Sequence, residues 1–161
     1  MALHTLPPAA RRPVAAIWFA AFALLFTVLF FLRLSMASHA VILYIISPSL
    51  AAGIAGYIWG GAILDSSRVK TYRHSVLRGL GVSAGAYLIF AVLYACELPM
   101  LEGEWSLGRA GSLFLFVLML GPLMVAPMAA ITGMMSGITL FKFGRHVFAE
   151  SDNGTSEASG V

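Results

Sequence analysis

Gly81-Val82-Ser83-Ala84-Gly85 fits G-x-S-x-G, the pattern of a nucleophile elbow. That pattern carries chemistry only at a sharp strand-to-helix turn, with a His and an acid converging on the Ser hydroxyl. Here it falls inside a long apolar run. His74 precedes Ser83 by nine residues, about 13 Å along a helix at ~1.5 Å per residue. Asp65 and His146 lie in other parts of the chain. The spacing therefore predicts close helix packing by Gly81 and Gly85, with no catalytic role for Ser83. A second group has soft ligands: Met36, His39, Cys96 and Met100, with Met119, Met124, Met128, Met134 and Met135 further on. Thioether, thiolate and imidazole suit copper. Met also fills the irregular gaps that Pro and Gly create in apolar packing, and that reading is preferred. No P-loop, H-E-x-x-H or C-x-x-C pair occurs. The expectation is a protein without a catalytic site, cofactor or metal.

The elements that would position such residues follow from the charges. Only 10 Lys or Arg and 7 Asp or Glu occur in 161 residues, and 60% of the chain is hydrophobic. A soluble domain carries about 25% charged residues; this chain carries 11%. Pro13 to Leu32, Leu34 to Leu64, Gly79 to Cys96 and Ala110 to Phe141 hold no charge over 20, 31, 18 and 32 residues. A membrane-crossing helix needs about 20 apolar residues. These runs lack the alternation of barrel strands. The predicted fold is therefore all-α, a polytopic bundle of four transmembrane helices at about 14–35, 40–64, 78–97 and 110–142. Residues 1–13 form an N-terminal segment, 14–148 the transmembrane domain, and 149–161 a small, polar, disordered tail. Pro48 interrupts the second run, and Pro122 and Pro127 the fourth, so kinks are expected there. The halves of the fourth run, Ala110–Leu120 and Met128–Phe141, have 11 and 14 residues. Each is too short to cross alone, so one kinked span is read. The first run is too long for the apolar part of a cleaved signal peptide.

Orientation follows the basic residues of the loops. Arg11, Arg12, Arg68, Lys70, Arg73, Arg78, Lys142 and Arg145 fall on one side, eight against Arg33 and Arg109 on the other. Both termini are thus expected in the cytoplasm of a multi-pass plasma (inner) membrane protein. Arg68, Lys70, Arg73 and Arg78 are candidate contacts to anionic headgroups. The basic balance reads as topology and lipid contact, so no nucleic-acid partner is expected. Asn153-Gly154-Thr155 matches a glycosylation sequon, which the cytoplasmic placement makes a chance match.

Ala52, Gly56 and Gly60 are four apart, as are Ala129, Gly133 and Gly137, and Gly81 and Gly85. Residues at that spacing share one helix face and let two backbones approach closely. The first two sets are offset by 77 residues, as a tandem repeat of helical hairpins would make them. The expected function is that of an accessory, assembly or oligomer-forming membrane subunit, working through helix–helix contacts with a second copy or another membrane protein. The alternative is a small-solute transporter or channel working as an oligomer, in which Pro-broken spans expose carbonyls to a pore.

Overall fold

The computed structural model describes residues 7–34, 45–65 and 71–158. Every regular element among them is helical: α1 at Pro8–Leu34, α2 at Ser47–Trp59, α3 at Tyr72–Leu101 and α4 at Leu107–Ala158. A 3-10 segment, Gly60–Leu64, continues α2. The helices overrun the charge-free runs. Arg11 and Arg12 lie in the first turns of α1, and Arg73 and Arg78 in those of α3. A charge ends the stretch that suits hydrocarbon but leaves backbone hydrogen bonding intact, so helices continue past it. Pro48 stands in the first turn of α2, a position that tolerates proline, and π-helical backbone at Ile45 and Ile46 leads directly into it. α4 also continues as a helix to Ala158, beyond residue 149, where the composition predicted a disordered tail. Extending an existing helix costs less than nucleating one.

Among the described residues, two helical stretches are long and apolar enough to cross a membrane, Ala9–Leu29 and Tyr72–Leu101. A third counts if Leu107–Leu123 and Pro127–Gly144, bent by 75° at the break between them, form one span. The helices thus supply two to three candidate spans where the charge gaps predicted four. The α-helical part of α2 has 13 residues, only about 20 Å of rise. Residues 40–44 of the second expected span lie outside the described residues, as do Met36, His39, Arg68 and Lys70. In α4, Pro122 and Pro127 flank the bend. Each removes an N–H from the helical ladder, and its ring crowds the carbonyl four residues back.

Consecutive helices pack antiparallel. Gly53, Gly56 and Gly61 of the α2 region meet Ala20, Ala15 and Arg12 of α1 in falling order. On the other side, Ser47 meets Glu97 and Trp59 meets Gly85 of α3. Ser75 and Tyr87 of α3 meet Gly137 and Val117 of α4. Trp18 joins α1 to α4 by donating from Nε1 to Thr139 Oγ1 at 3.3 Å, and its ring lies 5.0 Å from that of Phe143. The buried core gathers Ala15, Phe19, Ala55, Ile63, Leu64, Val82, Leu140 and Phe141. Most of these belong to one end of the molecule, where α1 and α3 begin and the α2 region and α4 turn towards their ends. The Arg11–Asp65 ion pair, 3.1 Å, lies at the same end. Outward faces are apolar: Ile17, Leu77, Met119 and Leu123 are 71%, 66%, 77% and 77% exposed. Such large exposed apolar surfaces suit contact with lipid or another protein.

Candidate functional site

Two seams of small residues hold the hairpins. In the first, α2 lies on α1 at Gly56 and Gly60. A Cβ on Gly56 would stand 2.9 Å from the Ala15 carbonyl oxygen and 3.1 Å from Phe19 Cβ. One on Gly60 would stand 3.0 Å from Ala15 Cβ. Ala52, one turn before, is buried in the same core. In the second seam, α4 lies on α3. A Cβ on Gly137 would stand 2.8 Å from the Ser75 carbonyl oxygen and 3.2 Å from Gly79 Cα, and one on Gly133 2.8 Å from the Gly79 carbonyl oxygen. Ser75 Oγ donates to the Gly137 carbonyl at 2.6 Å. In each hairpin the small-residue row faces the helix that precedes it. Ala129 stands at the end of the second row and lines a crevice.

The row on α3 that meets α4 is Ser75, Gly79 and Ser83. These residues also repeat at four, and the spacing of serine with glycine was the signal that could have found them. Gly81 and Gly85 lie off this row. Gly85 packs under the Trp59 ring of α2. Gly81 is exposed, and a Cβ there would meet nothing within 4 Å. It packs against no other helix.

The crevice lies between all four helices, on the side of the packed core nearer Pro48. Its volume is about 290 Å³. Phe19, Phe26, Phe90, Val125 and Met128 form much of its wall, with Ala23, Ala52 and Ala86 between them. Four lining residues carry a hydroxyl: Thr27, Ser83, Tyr87 and Thr132. Thr27 Oγ1 donates to the Ala23 carbonyl at 2.6 Å and Thr132 Oγ1 to the Met128 carbonyl at 2.8 Å. Tyr87 donates its hydroxyl to the Val117 carbonyl across the α3–α4 seam. Ser83 Oγ packs against Gly133. The polar groups are thus turned into the helices, and the space they border is apolar. None of the described residues lining it is charged.

The remaining expected sites are dispersed. Ser83 sits within α3, a continuous helix from Tyr72 to Leu101, and no strand-to-helix turn adjoins it. His74 shares a 2.8 Å hydrogen bond with Thr71 at the start of that helix, and Asp65 pairs with Arg11. Among the described residues no group of three or more His, Cys, Asp or Glu is placed to hold a metal ion. Cys96 is a free thiol, half-buried in α3. Arg73 is exposed and Arg78 partly so, while the other two expected headgroup contacts, Arg68 and Lys70, fall outside the described residues. Arg109 pairs with both Glu102 and Glu104, clamping the turn between α3 and α4. Gly103, φ +72°, makes that turn, in a region open to glycine at no steric cost.

No protein-family model, no curated protein and no solved structure matches this chain. The class the fold and the crevice define is an all-helical protein with apolar helices compatible with membrane insertion.

Proposed function

We propose that this chain is a multi-pass protein of the plasma (inner) membrane that works as an accessory, assembly or oligomer-forming subunit, through contacts between membrane helices. The observation that carries this reading is the apolar crevice. This space between the helices has its hydroxyls bonded to carbonyls or packed against glycine. A hydrated solute would meet no ligands there. Chemistry that a partner can use is therefore sought on the outward faces. The first limb of α4 offers the broadest one, with Leu107, Leu115, Phe116, Met119 and Leu123 all more than half exposed. The glycine rows are occupied within the chain, so GxxxG packing serves the fold of one copy and the partner binds elsewhere.

Four spans with both termini in the cytoplasm belong to the same proposal. α2 and its 3-10 continuation, 13 and 5 residues, rise together about 30 Å, the thickness of the hydrocarbon core. The limbs of α4 cross once between them. Leu107 follows the end of α3 by six residues, whereas Gly137 lies beside Ser75 near its beginning. Anionic headgroups would meet the basic inner loop at Arg68, Lys70, Arg73 and Arg78.

The test is a photo-crosslinking amino acid placed in turn at Leu115, Met119 and Leu123 of the full chain in its native membrane. One discrete adduct, with a second copy or with another integral membrane protein, is expected. Adducts to lipid alone at all three positions would sink the reading. The transporter alternative draws on the 75° break in α4 beside Pro127. It requires solute flux from vesicles holding the purified protein, a flux that bulky residues at Ala86 or Ala129 abolish.

A further inference from the structure

We infer that the crevice is a binding slot for one acyl chain of a membrane phospholipid. The inference rests on the membrane reading above and adds a ligand to it. The space is a crevice open along one side, and it measures about 290 Å³. An apolar cavity of ~150 Å³ stays dry and takes a benzene, so this one has room for roughly twice that, about a dozen carbons. The shape is long. Lining residues run from Phe19 to Thr27 on α1 and from Ser83 to Phe90 on α3, about 12 Å and 10 Å along the helices. Its long axis therefore lies along the helices, as lipid chains do beside a membrane-crossing helix. Val125 and Met128 border it and are each 42% exposed, so its rim continues into the outward apolar surface. Bilayer lipid is the hydrocarbon present at that surface. The wall chemistry agrees: phenyl rings, methyl groups and a thioether, with three of its four hydroxyls donated to backbone carbonyls.

The structure also explains why the slot exists. Gly133 packs against α3 itself, on Ser83 and the Gly79 carbonyl, while Gly121, twelve residues earlier, meets the hydroxyl at the tip of the Tyr87 side chain. α4 thus lies on α3 at Gly133 and stands a tyrosine side chain away from it at Gly121, with the 75° bend between them. The slot occupies the space that this divergence leaves.

The experiment uses the full chain, purified in detergent, with a phosphatidylcholine carrying a mid-chain diazirine in mixed micelles. Illumination should place adducts on Phe90, Val125 and Met128 at least about tenfold above those on Leu88, an exposed α3 residue at the same level that does not line the slot, a preference of about 1.4 kcal/mol. Ala86→Phe and Ala129→Phe fill the slot and should bring those adducts down to the Leu88 level, leaving Leu88 itself unchanged. Should either variant fail to elute as a single species, the wild-type ratio decides alone. Equal labelling of Met128 and Leu88 overturns the inference, because ordinary surface lipid then accounts for both. Labelling of the slot by a diazirine fatty acid, with none by the phospholipid, overturns the assigned source. A protein that alkaline carbonate strips from membranes removes the membrane reading and the slot with it. A carbonate-resistant protein without slot adducts removes the slot alone.

Discussion

Replacing Gly56 by Ala should destabilise the protein, while the same change at Gly81 should stabilise it. Both glycines lie within helices, and in both places Ala lowers the backbone freedom lost on folding, by about 0.8–1.0 kcal/mol. What differs is the space. At Gly81 a new methyl group meets nothing within 4 Å, so the whole gain is kept. At Gly56 it would come 2.9 Å from the Ala15 carbonyl oxygen, 3.1 Å from Phe19 Cβ and 3.2 Å from Ala16 Cα. Two of those atoms are α1 backbone, which cannot rotate away, so the helices must part. Overpacking of this kind costs about 1–3 kcal/mol. Subtracting the backbone gain leaves a net loss of up to about 2 kcal/mol at Gly56, set against a gain of about 1 kcal/mol at Gly81. For a chain of this size 1 kcal/mol moves the melting temperature by about 2–4 °C. Gly81→Ala should therefore melt about 2–4 °C higher than wild type, and Gly56→Ala several degrees lower. The assay is thermal unfolding of the full chain in one detergent, followed by intrinsic fluorescence. If Gly56→Ala melts as high as Gly81→Ala, the α1–α2 seam is not closely packed at Gly56 and the packing argument fails. A change in oligomer size at an unchanged melting point would move the seam from within one copy to between copies.

Three further outcomes are expected. Ser75→Ala removes the buried bond to the Gly137 carbonyl and should cost about 1 kcal/mol, read as a melting shift of the same sign as Gly56→Ala; no shift would mean that the carbonyl finds another donor. Exchanging the charges of the Arg11–Asp65 pair, half-buried at 15% and 20%, should recover most of the stability that Asp65→Lys alone removes; a double variant no better than the single one would deny the pair a role in closing that end. A thiol introduced at Arg73 should react with an impermeant reagent only after the membrane is opened, and labelling from outside in intact cells would reverse the proposed topology.

The sequence alone determined that the chain is helical, and its charge gaps marked four apolar stretches, of which the described helices supply two to three candidate spans. Both follow from local quantities: charge is costly in an apolar medium wherever it falls, and the four-residue spacing of Ala52, Gly56 and Gly60, or of Gly133 and Gly137, puts small residues on one face. Tertiary structure decided which faces are used. α3 carries two rows of small residues, Ser75-Gly79-Ser83 and Gly81-Gly85, and spacing cannot rank them, because the ranking depends on where α4 comes to rest. The crevice was the least legible feature. Its walls come from all four helices, and it opens where α4 diverges from α3 between Gly133, packed on the Gly79 backbone, and Gly121, held at the tip of Tyr87. A misfit between two helices is a property of their pairing, and no single stretch of residues contains it.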